Sequence, residues 1–85
     1  MTLIGEQPRH RHRLVDRVAA RAVALSIDPA LTADDVSPAI RQLCADPDVL
    51  AVAARRLELD LLDRPCGVTQ RAVEALRCAA LQRPA

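Results

Sequence analysis

Residues 46–63, with the sequence DPDVLAVAARRLELDLLD, carry the pattern on which the predicted fold depends. Asp46 followed by Pro47 is typical of a helix start, because aspartate caps free N–H groups and proline is tolerated at the first helical position. One row of apolar residues then recurs at helical spacing, which predicts an amphipathic helix over residues 47–63. This row consists of Leu50, Ala53, Ala54, Leu57 and Leu61.

The same helix carries a second apolar row on another side. Val52, Leu59 and Leu62 form this row, and Arg55 lies among them. A helix that is apolar on two sides either sits centrally in a bundle or presents a contact face. We therefore expect these four residues to form a protein interface, with a second copy of the chain in a homodimer as one possible partner.

The N-terminal part of the chain predicts one long helix. Apolar residues at helical spacing run through residues 9–27. The helix should end by Asp28, because the residue before a proline avoids the α region. Residues 1–8 end at Pro8, and we expect them to form a flexible N-terminal arm.

The next helix has two possible starts. In the first, Thr32 is the N-cap and Asp35 completes a near capping box. In the second, Ser37 is the N-cap and Pro38 takes the first helical position. Both starts predict a short helix within residues 33–45.

The last helix is predicted over residues 69–82, with Thr69 as its N-cap. The chain has 85 residues, the length of one domain, and residues 9–85 should form a single helical domain. Short connections favour an all-α fold, a compact bundle of about four short helices without a sheet. The predicted helices are 9–27, 33–45, 47–63 and 69–82.

The missing residue types argue against several kinds of site. The chain has no Phe, Tyr, Trp or Lys, and all twelve basic residues are Arg, a bias typical of a high-GC bacterial or phage genome. Without aromatic side chains no platform exists for stacking bases. Without Lys there is neither a Schiff-base nucleophile nor a P-loop. We therefore expect no catalysis, no cofactor and no small-molecule substrate.

The sequence also bears on location. Its longest uncharged stretch is far shorter than the roughly 18 apolar residues of a membrane span. Residues 1–13 lack the apolar segment of a secretory signal. We expect a cytoplasmic protein with no membrane partner.

Charge is divided along the chain. Residues 1–27 carry a net charge of +3, residues 28–63 a net charge of −5, and residues 64–85 a net charge of +3. Like charges four residues apart on a helix repel by a few tenths of a kcal/mol. An arginine row in the first helix should therefore either remain solvated or meet the chain's acidic middle, a partner protein or phosphates. The row consists of Arg9, Arg13, Arg17 and Arg21.

Residues 67–76, GVTQRAVEAL, resemble the second half of a helix-turn-helix DNA-binding motif. In that family a Gly-Val turn precedes a capped recognition helix. The preceding residues depart from the family pattern at Asp63 and Pro65. The resemblance implies, as an alternative function, a transcriptional regulator that contacts DNA through residues 67–78. The contacts it implies are Gln70, Arg71 and Arg77.

A metal-binding module is a further alternative. The three cysteines and two histidines show no CxxC spacing, so no metal site is assigned. Cys44 fits the core row of its helix, whereas Cys66 lies beside Pro and Gly and should be the exposed thiol. The remaining candidates are Cys78, His10 and His12. The favoured interpretation is a small non-enzymatic protein–protein interaction module or adaptor that binds through its helices.

Overall fold

The computed structural model describes the backbone of residues 3–81 and the side chains of residues 13–81. These residues form four α-helices and no strand, which confirms the predicted all-α bundle. No helix in the described range is both long and apolar enough to span a membrane. The helices are α1 (Leu3–Ser26), α2 (Ala33–Leu43), α3 (Pro47–Asp63) and α4 (Gly67–Leu81).

Helix α1 begins six residues earlier than the predicted start at Arg9. Residues 3–8, which the sequence assigns to an arm, are helical, while residues 1 and 2 lie outside the described range. Pro8 therefore does not terminate the helix. A proline in a helix removes one backbone hydrogen bond, and the turns on either side continue. Pro38 has the same position in α2, the sixth residue from the helix start.

Helix α2 starts at the first of its two predicted positions. The Thr32 hydroxyl accepts a hydrogen bond from the Asp35 N–H at 3.3 Å, and the Asp35 carboxylate accepts one from the Thr32 N–H at 3.0 Å. This is a complete capping box, so the alternative start at Ser37 is wrong. The Thr32 N–H and the Thr32 hydroxyl both donate to the Asp35 carboxylate, and these two bonds lower the pKa of that carboxyl below its usual value. Ser37 instead lies inside the helix and is buried.

Helix α4 starts at Gly67, two residues before the predicted start, and the prediction of Thr69 as its N-cap is wrong. Cys66 occupies the cap position, since its carbonyl accepts the Gln70 N–H at 2.9 Å. Hydrogen bonds from Thr69 and Val68 to the sulfur lower the pKa of the Cys66 thiol. Cysteine is not among the usual N-cap residues, which explains why the sequence pattern pointed to threonine.

The core is aliphatic and rich in alanine. Helix α4 lies at its centre, because it packs against all three other helices and most extensively against α3. The largest fully buried apolar side chains come from α1, α2, α3 and α4 in turn, and are Val18, Ile40, Leu50 and Leu76. Helix α3 is capped by Asp46, whose carboxylate accepts the Asp48 N–H at 2.9 Å. This cap confirms the predicted start of the helix.

Candidate interaction surfaces

The second apolar row of α3 lies on the surface. Val52, Leu59 and Leu62 are 54%, 60% and 83% exposed, and Arg55 between them is exposed as well. We call these four residues the α3 stripe. The opposite side of the helix is buried and consists of Val49, Leu50, Ala53, Ala54 and Leu57.

The α3 stripe runs nearly parallel to the helix axis. Its members are separated by three, four and three residues, so they span about 15 Å at 1.5 Å per residue. Two of the charged residues beside it are held by the bundle, since Arg56 forms an ion pair with Asp16 and Glu58 forms one with Arg77. Arg55 has no ion pair among the described residues. The stripe is therefore an apolar row with one unpaired cation. It is bordered by these two paired charges and, near the end of the helix, by two acids that form no ion pair within the described part of the chain, Asp60 and Asp63.

The polar side of α4 is largely engaged within the protein. The Arg71 guanidinium donates a hydrogen bond to the Ser26 carbonyl at 2.7 Å, at the C-terminal end of α1. Arg77 pairs with Glu58 on α3. Both arginines that the helix-turn-helix resemblance assigns to DNA thus have a partner within the protein. Gln70, the third of these predicted DNA contacts, is exposed, and its side chain has no partner among the described residues. DNA binding through these residues stays a prediction.

Three arginines of the α1 row are exposed on one side of the helix. Arg13, Arg17 and Arg21 have no ion pair among the described residues, so the chain's own acidic segment does not neutralise them. The ion pair that joins α1 to α3 is the reverse of the expected one, because α1 supplies the acid, Asp16, and α3 supplies the arginine, Arg56. The side chain of Arg9 lies outside the described side chains.

A shallow, open groove lies beside this row, between α1 and the C-terminal half of α2. Sequence reasoning identified its arginines but not its α2 wall, because that wall depends on how the helices pack. We call this feature the α1–α2 groove. It is lined by Arg17, Ala20, Arg21, Ala39, Gln42 and Leu43.

The cysteines lie in different environments. Cys44 is buried and Cys66 is exposed, as predicted, whereas Cys78 is half-buried with its sulfur 3.7 Å from a carboxylate oxygen of Asp34. Among the residues with described side chains, no cluster of three or more potential metal ligands is found. The histidine candidates outside those side chains are His10 and His12.

Comparison with known proteins supplies no relative. No protein family, no curated protein sequence and no solved structure matches this chain. Functional inference therefore depends on the surfaces described above.

Proposed function

We propose that this protein is a small, non-enzymatic interaction module that pairs with a second copy of itself through the α3 stripe. The observation that carries this proposal is the exposure of Val52, Leu59 and Leu62 in a single row. Scattered exposed apolar residues are normal on a protein surface, whereas three that are aligned on one side of a helix can form a contact site together with the arginine between them. Burying such side chains contributes roughly 25 cal/mol per Å² of apolar surface removed from water.

The three- and four-residue spacing of the stripe is that of one seam of a two-helix coiled coil. A parallel pairing would bring the two copies of Arg55 face to face, and like charges would repel. An antiparallel pairing instead places Arg55 opposite Leu59, and Val52 opposite Leu62. It also brings Arg55 within one helical turn of Asp63 on the facing helix, so the arginine gains a carboxylate. These contacts favour a two-fold antiparallel dimer.

The size of the stripe indicates how strong this association is. A standard interface buries about 800 Å² per partner, roughly one eighth of the 6164 Å² surface of this chain. A single helix face falls short of that area, so we expect a reversible dimer that forms as the concentration rises.

Sedimentation equilibrium over about 10 μM to 1 mM tests the proposal. The wild-type chain should increase in mass from 9.2 kDa toward twice that value. The double variant Leu59→Gln/Leu62→Gln should stay monomeric, because it removes the apolar contacts without adding charge. The matched control Ile27→Gln/Leu81→Gln alters two other exposed apolar residues, 63% and 80% exposed, and should associate like the wild type.

Either of two results would contradict the proposal. A wild-type chain that remains monomeric across the whole range has no self-pairing face. A dimer that persists in the stripe variant, with helical content unchanged by circular dichroism, is held together by another surface.

A further inference from the structure

We infer that the α1–α2 groove is a docking site for an acidic amphipathic helix of another protein. This site is separate from the α3 stripe, and the inference does not depend on self-pairing. The groove combines an apolar floor with a line of arginines. These complement the apolar row and the line of carboxylates on the surface of such a helix. Docking of an amphipathic helix into a groove between helices is a common mode of peptide recognition.

The basic side of the groove is a regular line of charge. Arg17 and Arg21 line it, and Arg13 extends the same row by one further turn. Residues four apart on a helix are separated by about 6 Å along the axis. Glutamates four apart on a second helix have the same spacing, so two or three pairs can form side by side. Arginine suits such contacts, because its planar guanidinium can bind a carboxylate through two hydrogen bonds.

The row is free to accept these contacts. The nearest acid on α1, Asp16, is already paired with Arg56 on α3. At the start of α2, the Asp35 carboxylate is held in the capping box. No described carboxylate forms an ion pair with any of the three arginines, so they repel one another until an acidic ligand binds.

The floor of the groove is apolar and shallow. Ala20 of α1 and Ala39 of α2 present only methyl groups, which allow a third helix to approach closely. Leu43 is 38% exposed at the C-terminal end of α2, where it can contact an apolar side chain of the ligand. Gln42 adds an exposed amide that can both donate and accept a hydrogen bond. A ligand that fills this space therefore needs an apolar side as well as negative charge.

This combination favours a peptide helix over nucleic acid. A phosphate backbone would neutralise the arginines but would leave Ala20, Ala39 and Leu43 facing a charged ligand. Three aligned arginines also provide few of the phosphate contacts from which DNA-binding proteins gain their affinity.

The chain itself carries no matching helix among its described residues. Its carboxylates are mostly used within the fold, with Glu58 paired to Arg77 and with Asp35 and Asp46 acting in helix caps. Helix α3 carries three acids without an ion pair among the described residues beside the α3 stripe, but their separations of twelve and three residues do not match the four-residue spacing of the arginines. These acids are Asp48, Asp60 and Asp63. The occupant is thus a segment of a different protein.

Fluorescence anisotropy with a designed peptide tests the inference. The probe is a fluorescein-labelled helix of about 15 residues, built from Leu, Ala and Glu with leucines along one side and glutamates four apart beside them. Its control is a scrambled peptide of identical composition. The wild-type chain should bind the amphipathic peptide at least about tenfold more tightly than the scrambled one, and increasing salt should weaken the complex.

Variants locate the site. Arg17→Ala/Arg21→Ala should weaken peptide binding by about tenfold or more, through loss of two charge-assisted contacts. The control Arg64→Ala removes an exposed charge outside both surfaces and should leave affinity within about twofold of the wild type. Leu43→Gln keeps the charge and should also weaken binding, because the apolar floor is lost. Circular dichroism checks that each variant retains its helices.

Four results would overturn the inference. Failure of the wild-type chain to bind the amphipathic peptide would do so directly. Equal binding of the scrambled peptide would show only general attraction between charges. Retention of a short DNA duplex without peptide binding would assign the row to phosphates. Binding that survives Arg17→Ala/Arg21→Ala but is lost in Leu59→Gln/Leu62→Gln would place the peptide on the α3 stripe.

Discussion

Helices α3 and α4 are similar in composition and adjacent in the chain, yet the bundle uses them differently. Helix α4 packs against the other three helices, and its only large, strongly exposed apolar residue is Leu81 near its end. Helix α3 buries one side and leaves the α3 stripe in solvent. Hydrophobic content alone therefore does not decide whether a helix serves the core or a partner. What decides it is how many sides of the helix are covered by neighbouring helices.

The charges follow the same division. Helix α4 uses Arg71 to hold the end of α1 and Arg77 to hold α3. Helix α3 uses Arg56 in the same way, but its stripe residue Arg55 has no ion pair among the described residues. A stabilising role is thus expected for α4 and a binding role for the outer side of α3. Both expectations can be tested by matched substitutions.

The largest contrast is expected between two leucines. Leu76→Ala on α4 should lower the free energy of unfolding by about 3 kcal/mol, because it leaves a cavity in the core. Leu62→Ala on α3 should change it by less than about 0.5 kcal/mol, since that side chain is 83% exposed. Urea denaturation followed by circular dichroism measures both values. Equal losses of unfolding free energy in the two variants would contradict this difference between α4 and the outer side of α3.

Two arginines provide the next contrast. Arg71→Ala should cost about 1.5 kcal/mol of stability, since the Ser26 carbonyl at the end of α1 loses a charged donor. Arg55→Ala should be nearly neutral in the monomer. Thermal denaturation at low protein concentration measures both. An Arg71→Ala variant that is fully stable but loses affinity for DNA would instead support the helix-turn-helix interpretation.

The two helix caps should differ by a smaller amount. Asp46→Ala should destabilise the protein by about 1 kcal/mol through loss of the cap of α3. Cys66→Ala should cost less at neutral pH, because a thiol is a weaker hydrogen-bond acceptor than a carboxylate. Denaturation at pH 7 compares the two variants. A larger loss in Cys66→Ala would show that the sulfur does more than cap α4.

The smallest effect concerns pH. The pKa of the Cys66 thiol is lowered by hydrogen bonds from Thr69 and Val68. A lowered pKa means that the thiolate stabilises the fold above the ordinary thiol pKa of about 8.5, and that this contribution is lost as the pH falls through the lowered value. The stability of the wild type relative to Cys66→Ala should therefore increase as the pH rises from the lowered pKa toward the ordinary one. A difference that does not vary with pH would contradict the cap geometry.

Much of this fold could be predicted from local patterns. The burial of Leu50 and Leu57 and the exposure of Leu59 follow from helical spacing, and the caps at Thr32 and Asp46 follow from residue type. The unusual cap at Cys66 could not be recognised, because its sulfur acts where an oxygen is normally expected.

The surfaces were predictable only in part. The α3 stripe follows from a single helix, so the sequence alone identified it. The roles of Arg71 and Arg77 as internal donors depend on contacts 45 and 19 residues away, which no local pattern contains. The α1–α2 groove likewise depends on how two helices pack. The sequence therefore predicted that Arg17 is solvated or contacts an acidic group, but it did not predict that Leu43 lines the same groove.

The central claim is that the outer side of α3 is a contact surface. The most direct test is a concentration series of ¹H–¹⁵N spectra of the wild-type chain. We predict that the amide signals of Val52, Arg55, Leu59 and Leu62 shift together as the concentration rises, while those of the buried α4 residues remain fixed. Spectra that do not change with concentration, or shifts confined to another face, would contradict it.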